Sequence, residues 1–393
     1  MRESGRVQAA IELLDAIIEA ARSDGPPADR LITEYFKTRR YAGSKDRRAV
    51  RDLVYRAIRA CGPIPSTGRA AMLALAREDD TITTHFDGSP YGPAPIAPEE
   101  TAALSGVAPE WLEARLQASD IAGPEAQALL GRASLDIRLN RVLIDSGIPE
   151  LPESGDALTG VDGLRFPHGT PVESWDAYGD GMIEVQDYGS QLACAAVGVE
   201  SGQNVIDLCA GAGGKTLGLA SAMGGQGRIL ASDTDARRLG NLMPRAHRAG
   251  VAGMIETLLL DPKREFESLA PFAGQADHVL VDAPCSSTGT WRRNPEARWR
   301  LTPDWLKSLC ATQHYLIDLA TRLVKPGGKL TYITCSVLDE EGAGQIASAL
   351  ARHPGWIAQE LDLPAGTRRG HGVRLTPHVD QCDGFFIAQL TAP

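Results

Sequence analysis

The chain has 393 residues with 40 basic and 50 acidic side chains, a formal net charge of −10, and 43% hydrophobic against 23% charged residues. That length predicts two or three domains, each able to bury a core, and the composition excludes wholesale disorder. No uncharged apolar run approaches the ~18 residues of a membrane span, Glu3, Glu12 and Asp15 interrupt any signal-peptide core, and the acidic balance argues at first sight against a nucleic-acid partner.

The first third reads as helical. From Val7, apolar residues recur at Ala10, Ile11, Leu14, Ile17, Ile18 and Ala21, the period of one buried helix face. Ser44 is suited to cap a further helix with the stripe Val50, Leu53, Val54, Ala57 and Ile58. Between Lys37 and Arg59 stand nine basic residues and two acidic ones, a local charge of +7 that leaves −17 to the rest of the chain. A loop rich in Thr, Gly and Pro, Asp80 to Pro98, precedes another helical piece around Trp111–Gln117. From Ile137 to Gly181 short apolar runs alternate with Pro and Gly, which predicts a small α/β piece or an elaborated linker.

From Met182 onward, β-rich segments recur between helical ones, at 204–208, 228–232, 277–282 and 329–334. This alternation predicts a parallel sheet with helices on both faces and its chemistry at the carboxyl strand ends. After the first of these strands comes a glycine turn, Asp207-Leu208-Cys209-Ala210-Gly211-Ala212-Gly213-Gly214-Lys215-Thr216. A P-loop would need glycine where Cys209 stands, and a nicotinamide fingerprint would need glycine at Thr216. Asp207 ends this strand and Asp233 follows the next, a carboxylate suited to ribose hydroxyls. S-adenosylmethionine, a sulfonium with a ribose and an amino-acid tail, fits that pattern better than a dinucleotide.

The seven cysteines are odd in number, widely spaced and without a C-x-x-C pair, which argues against a disulfide framework and for a reducing cytoplasm. The eight histidines show no metal-ligand spacing, and no metal is expected. Two cysteines stand out, Cys285 after Asp282-Ala283-Pro284 and Cys335 after Ile333-Thr334, because both leave the sheet on the edge of the cofactor turn. C5 of a pyrimidine is a poor nucleophile; a thiolate adding at C6 makes it enamine-like and able to accept a methyl group. A second thiol or acid/base nearby helps to release the enzyme afterwards, and Asp282 is suited to bind the cytosine edge.

These segments, Asp207–Thr216, Asp282–Thr290 and Thr334–Ser336, with Val185-Gln186-Asp187, Arg292-Arg293-Asn294-Pro295 and Asp383-Gly384-Phe385-Phe386-Ile387-Ala388, resemble the Sun (RsmB-type) family of RNA cytosine-C5 methyltransferases. The resemblance implies that Cys335 is the nucleophile and that Cys285 assists release. It also implies cofactor contacts from Asp207, Cys209, Ala210, Gly211, Ala212, Gly213, Gly214, Lys215, Asp233, Asp261 and Asp282. The turn departs from the family's Cys-Ala-Ala-Pro-Gly-Gly-Lys at Gly211 and Ala212, which predicts a more flexible loop.

The first part is similar to the NusB-like helical RNA-binding domain of RsmB-type enzymes, chiefly through 39–59. Arg39, Arg40, Lys45, Arg47, Arg48 and Arg51 are the expected phosphate contacts. Arg292, Arg293, Arg298 and Arg300, interleaved with Trp291 and Trp299, form a second candidate RNA contact. The expectation is therefore a multidomain chain: a helical NusB-like domain at 1–130, a small α/β linker subdomain at 131–181, and a Rossmann-like S-adenosylmethionine-dependent methyltransferase core at 182–393. Its expected substrate is ribosomal RNA, with 16S rRNA the expected species, and with no membrane and no obligate protein partner. The rival readings are an amine-directed methyltransferase and a catalytically idle RNA-binding assembly factor.

Overall fold

The computed structural model describes residues 1–23, 25–144 and 146–393. The chain divides into two compact units, Met1–Gly131 with Thr290–Pro303, and Arg132–Gly289 with Asp304–Pro393.

The first unit is helical. Helix α1 (Glu3–Arg22) packs against α2 (Ala28–Thr38), α3 (Ser44–Ala60) and α4 (Gly68–Glu78). The expected stripe of α1, from Val7 through Leu14 and Ile17 to Ala21, is buried throughout, as are Val50, Val54, Ala57 and Ile58 of α3. Ser44 is the first helical residue of α3 and not its cap; Gly43 occupies the cap in extended backbone, and the charge of Asp46 serves the first turn.

Residues Thr290–Pro303, which the sequence groups with the catalytic region, belong to this helical unit. Their charged side chains close helix ends. Glu296 Oε1 accepts from the backbone N–H of Ala28 at the start of α2, at 3.1 Å. Arg298 donates to the carbonyls of Ile58 and Cys61 at the end of α3, at 2.7 and 2.5 Å. Arg300 donates to Ala20, Gly25 and Pro26 at and beyond the end of α1, at 3.2, 2.8 and 2.8 Å. Carbonyls in a last helical turn have no intrahelical partner, and cations there also meet the negative end of the helix dipole. Trp299 joins the core of the unit and donates to the Gly62 carbonyl at 3.2 Å.

The second unit carries two sheets. Strands β1 (Leu135–Leu139), β2 (Asp156–Ala157), β3 (Gly163–Phe166) and β4 (Ile183–Val185) form an antiparallel sheet in the order β2-β3-β1-β4, so a small β piece stands where the helical period is lost. Its core contains Ile137, Leu139, Leu164, Ile183 and the T-shaped pair Phe166–Trp175, with centroids 5.2 Å apart.

The larger sheet is built on β5 (Asn204–Asp207), β6 (Arg228–Asp233), β7 (Ile255–Leu259), β8 (Ala276–Asp282) and β9 (Val324–Thr334). They run parallel in the order β7-β6-β5-β8-β9. Strands β10 (Ile357–Gln359), β11 (Thr367–Arg369), β12 (Gly372–Leu375) and β13 (Phe385–Thr391) extend it antiparallel beyond β9. This is the expected pairing of an all-helical region with an α/β methyltransferase sheet. The chain winds outward from β5 through β6 to β7, then returns to β8 on the other side of β5. The β5–β8 boundary is thus the switch point at which open α/β sheets bind ligands.

Candidate active site

Four adjacent strands deliver the predicted residues to one edge. In sheet order, β6 ends in Asp233, β5 in Asp207 and β8 in Asp282, and Cys335 follows the end of β9. Asp207 is fully buried. Its Oδ2 accepts from Thr216 Oγ1 at 2.6 Å, while Oδ1 is buried with no partner. Burial, reinforced by the charges of Asp282 and Asp233, pushes its carboxyl up to about 7.

The turn after β5 is tied down. Gly211 (φ +55°) and Gly213 (φ +83°) adopt left-handed backbone that other residues rarely accept. The Gly211 N–H donates to Asp233 Oδ2 at 2.7 Å, and the Ala212 carbonyl accepts from Arg245 at 2.6 Å. Gly213 caps the helix Gly214–Ala222, whose Lys215 Nζ donates to Asp282 Oδ2 at 2.7 Å and lies 5.4 Å from the Phe385 ring centroid. Burial works against the Lys215 charge, but Asp282 overrides it and holds the ammonium above its ordinary range. Cys209 is half-buried, and desolvation with the neighbouring carboxylates pushes its thiol far up. The orphaned Asp207 oxygen, the left-handed glycines and the Asp233 carboxylate suit a ligand that is cationic at one end and bears hydroxyls elsewhere.

Cys285 Sγ and Cys335 Sγ are 3.4 Å apart. Their hydrogen bond separates their acidities. A bond from Cys285 holds the Cys335 thiol below its ordinary value, against burial and the Asp282 charge, and Ser287 and Lys215 act in the same direction. The same bond, with burial, pushes Cys285 well up. Of the two, Cys335 is thus the one whose thiolate the surroundings favour, and Cys285 the one they hold as a thiol. Ser287 Oγ is 3.6 Å from Cys335 Sγ, on a residue in left-handed backbone (φ +56°).

A buried polar network positions the two cysteine loops. Glu341, fully buried, accepts at Oε1 from the Ser286 N–H (2.8 Å) and from Gln313 Nε2 (2.9 Å), and at Oε2 from Ser286 Oγ. Thr288 Oγ1 and Ser336 Oγ are 3.0 Å apart, joining the loop after β8 to the loop after β9. Gly289 donates to the Cys335 carbonyl at 3.0 Å and accepts from the Gly384 N–H at 2.8 Å. A Cβ at Gly289 would lie 2.1 Å from the Gly384 carbonyl oxygen. The Asp383 N–H in turn donates to Asp187 at 3.1 Å, so the segments quoted at 185–187 and 383–388 meet behind the thiols. Glu341, Gln313 and Arg245 escaped the sequence reading. Nothing in the sequence reading singled out Glu341; its distance of six residues from Cys335 is the one signal that could have found it.

Asp261 lies just beyond β7, mostly exposed, and its partner there is Arg264 at 3.7 Å. Among the expected RNA contacts, Arg40, Lys45, Arg47, Arg48 and Arg51 are exposed on the first unit. Arg39 is half-buried, with its guanidinium 3.6 Å from the Tyr35 ring centroid. The second candidate contact is corrected. Arg292, Trp291, Arg298 and Trp299 are buried, and Arg293 and Arg300 are half-buried. The tertiary demand for helix caps recruits Arg298 and Arg300, while Trp299 is core. Among the described residues no cluster of His, Cys, Asp and Glu has the makings of a metal site, and no helix is long and apolar enough to cross a membrane.

Residues 195–391 match the family described as 16S rRNA methyltransferase RsmB/F. Ribosomal RNA small subunit methyltransferase B of Xanthomonas campestris pv. campestris is 33% identical over 294 residues, covering 72% of this chain and 66% of the relative. The protein of the same name in Citrobacter koseri is 31% identical over 296 residues, with the same coverage of 72% and 66%. The chain thus spans just under two thirds of the length of these relatives. The crystal structure of PH0851 shares the fold, with a TM-score of 0.74 and 24% identity over 98% of each chain.

Proposed function

The chain belongs to the RsmB/F family of 16S rRNA methyltransferases, and from that premise we propose that it methylates C5 of a cytosine in 16S rRNA through a covalent Cys335–C6 adduct. The observation that carries this reading is the thiol pair, 3.4 Å apart and polarised in opposite directions at the switch-point edge. Amine methylation has no use for such a pair, and an idle assembly factor has no use for its polarisation.

S-adenosylmethionine, when bound, supplies an electrophilic methyl group. The backbone of 211–214, the Asp233 carboxylate and the buried Asp207 carboxyl are the groups that would hold it. Cys335 Sγ adds to C6 of an unpaired or extruded cytosine and drives electron density toward C5. Asp282, fixed by Lys215, accepts from the exocyclic amino group as charge shifts in the ring. After methylation a water molecule takes the C5 proton, the C–H electron pair re-forms the C5–C6 double bond, and the C6–S bond breaks with its electrons returning to Cys335 Sγ. The Cys285 thiol, 3.4 Å from Cys335 Sγ, donates to that sulfur and stabilises it as it departs. A free thiolate nucleophile is suited to a reducing compartment, and we assign the reaction to the cytoplasm.

The test uses the full chain, methyl-labelled S-adenosylmethionine and 16S rRNA. Cys335→Ala is expected to abolish transfer while cofactor binding survives, and Cys285→Ala to accumulate a covalent RNA adduct that migrates slowly in a denaturing gel. A fully active Cys335→Ala enzyme would sink the assignment. Bisulfite sequencing of RNA from a deletion strain identifies the position.

A further inference from the structure

A groove of about 1110 Å³ opens within the helical unit, lined by Gly5 and Glu12 of α1, Tyr35 of α2, and Arg39, Tyr41 and Tyr91. Two of these tyrosines are unusually bare, Tyr41 at 72% and Tyr91 at 83% exposure. Their carriers are fixed. Asp87 accepts from Ser4 Oγ at 2.7 Å and from the Ser89 N–H at 2.9 Å, and the Gly92 N–H donates to the Ser89 carbonyl at 3.0 Å. Tyr91 also lies against α1 where Gly5 offers no side chain. The turn carrying Tyr41 is clasped by Arg47, which donates to the Ala42 carbonyl at 2.8 Å.

The third tyrosine is the floor. The Arg39 guanidinium stacks 3.6 Å from the Tyr35 centroid, and Tyr35 OH donates to Glu12 at 2.7 Å. Arg39 also reaches Glu12 at 3.4 Å, so the acidic group inside the groove is already engaged by a cation and a hydroxyl. Arg40 stands in the chain between the lining residues Arg39 and Tyr41, and Lys45, Arg48 and Arg51 are exposed on α3, which begins three residues after Tyr41; none of the four forms a salt bridge among the described residues.

We propose that this groove binds an unpaired stretch of RNA, its bases stacked on Tyr41 and Tyr91 and its phosphates on Arg40 and the α3 cations. The proposal rests on the reading of RNA as substrate and deepens it by naming the strand form that the helical unit takes. Every base offers a π-face, whereas a duplex keeps its bases stacked inside. Exposed aromatic faces, with cations nearby in the sequence that form no salt bridge among the described residues, match a flexible polyanion better than a protein surface.

The test is fluorescence anisotropy on the full chain with an unstructured RNA 12-mer and a hairpin of the same composition. The single strand should bind more tightly. Tyr41→Ala/Tyr91→Ala should lose roughly tenfold or more in affinity for it, given the worth of one to two stacked bases. Tyr41→Phe/Tyr91→Phe should keep the affinity, because stacking needs only the ring. The salt slope should survive in the tyrosine variants and fall by about 1.4 in Arg40→Gln/Arg48→Gln, which removes two phosphate contacts. With 5-bromouridine in the 12-mer, photocrosslinks should fall within 35–41 and 89–92. Unchanged affinity in the double alanine variant, or crosslinks confined elsewhere, overturns the proposal and leaves the tyrosines to a protein partner. Cofactor affinity and thermal midpoint control for folding. Methyl transfer to rRNA is scored separately: its absence in the wild type with tyrosine-dependent binding intact refutes the catalytic reading alone.

Discussion

Asp207→Asn should make the ligand-free protein more stable at alkaline pH, although it removes a carboxyl group from the cofactor edge. The Asp207 carboxyl is fully buried, holds a single hydrogen bond from Thr216, and titrates at about 7 against an ordinary 3.8. A folded-state value above the unfolded one means that the native state binds the proton more tightly. Stability from this group is therefore fully present below the unfolded value and is lost as pH rises toward 7. Across that interval of about three pH units, at 1.36 kcal/mol each, the charged form costs roughly 4 kcal/mol. Asparagine cannot ionise, so it escapes that cost while losing about 1 kcal/mol from the Thr216 bond. Between pH 5.5 and 8.5 the stability difference between variant and wild type should move by roughly 2 kcal/mol in the variant's favour. Urea denaturation at the two pH values, without ligand, measures it. A difference independent of pH, or a variant that loses ground as pH rises, refutes the argument. A second consequence follows for binding. If a cationic ligand restores the carboxylate, binding below pH 7 must release a proton, visible by calorimetry in buffers of different ionisation enthalpy.

Gly289→Ala should lower both stability and methyl transfer, since its Cβ would meet the Gly384 carbonyl oxygen at 2.1 Å, and a cost of about 2 kcal/mol or more in thermal or chemical unfolding is expected. Glu341→Gln should cost about 2–4 kcal/mol, because it replaces a charged acceptor of several buried donors, and should lower kcat more than it raises KM. In Cys285→Ala, Cys335 loses the donor that holds its pKa down, so the rising, acid-side limb of adduct formation should move to higher pH; an unmoved profile would detach Cys285 from that role. Arg298→Met should destabilise the helical unit by about 3 kcal/mol, read as an early transition in calorimetry, because it strips two carbonyls at the end of α3 of their charged donor.

The sheet was legible because its parallel strands are buried apolar runs, and the strand segments expected at 204–208, 228–232 and 277–282 agree with β5, β6 and β8 within a residue or so. The β9 start was less so. Pro326-Gly327-Gly328 reads as a turn before the strand, yet the strand already begins at Val324 and bulges there, since the register jumps between Ala276 and His278 of its partner. The antiparallel strands beyond β9 left no pattern that fixed their order. At the site, Asp207, Asp233, Asp282 and the two cysteines were legible because chemistry restricts what can stand at a strand end. Glu341 was not, because nothing local distinguishes a carboxylate that will be buried by Ser286, Gln313 and the Ser336 loop from one that faces water. Arg298 and Trp299 misled for the same reason. Arginine beside tryptophan suits both nucleic acid and a buried cap, and only the tertiary fold selects between them.

The capping segment at 290–303 also bears on how the molecule is made. On the ribosome, α1 to α4 emerge long before Glu296, Arg298 and Arg300, with the whole stretch 132–289 translated in between. At a synthesis rate of ~5–20 residues per second, the nascent helices wait roughly 10–55 s for the groups that close their ends. Over that interval their terminal carbonyls and the niche for Trp299 stay open to solvent and to chaperones. The helical unit, although first in sequence, is completed only when the heart of the catalytic sequence has been synthesised, which couples the maturation of the two halves in time.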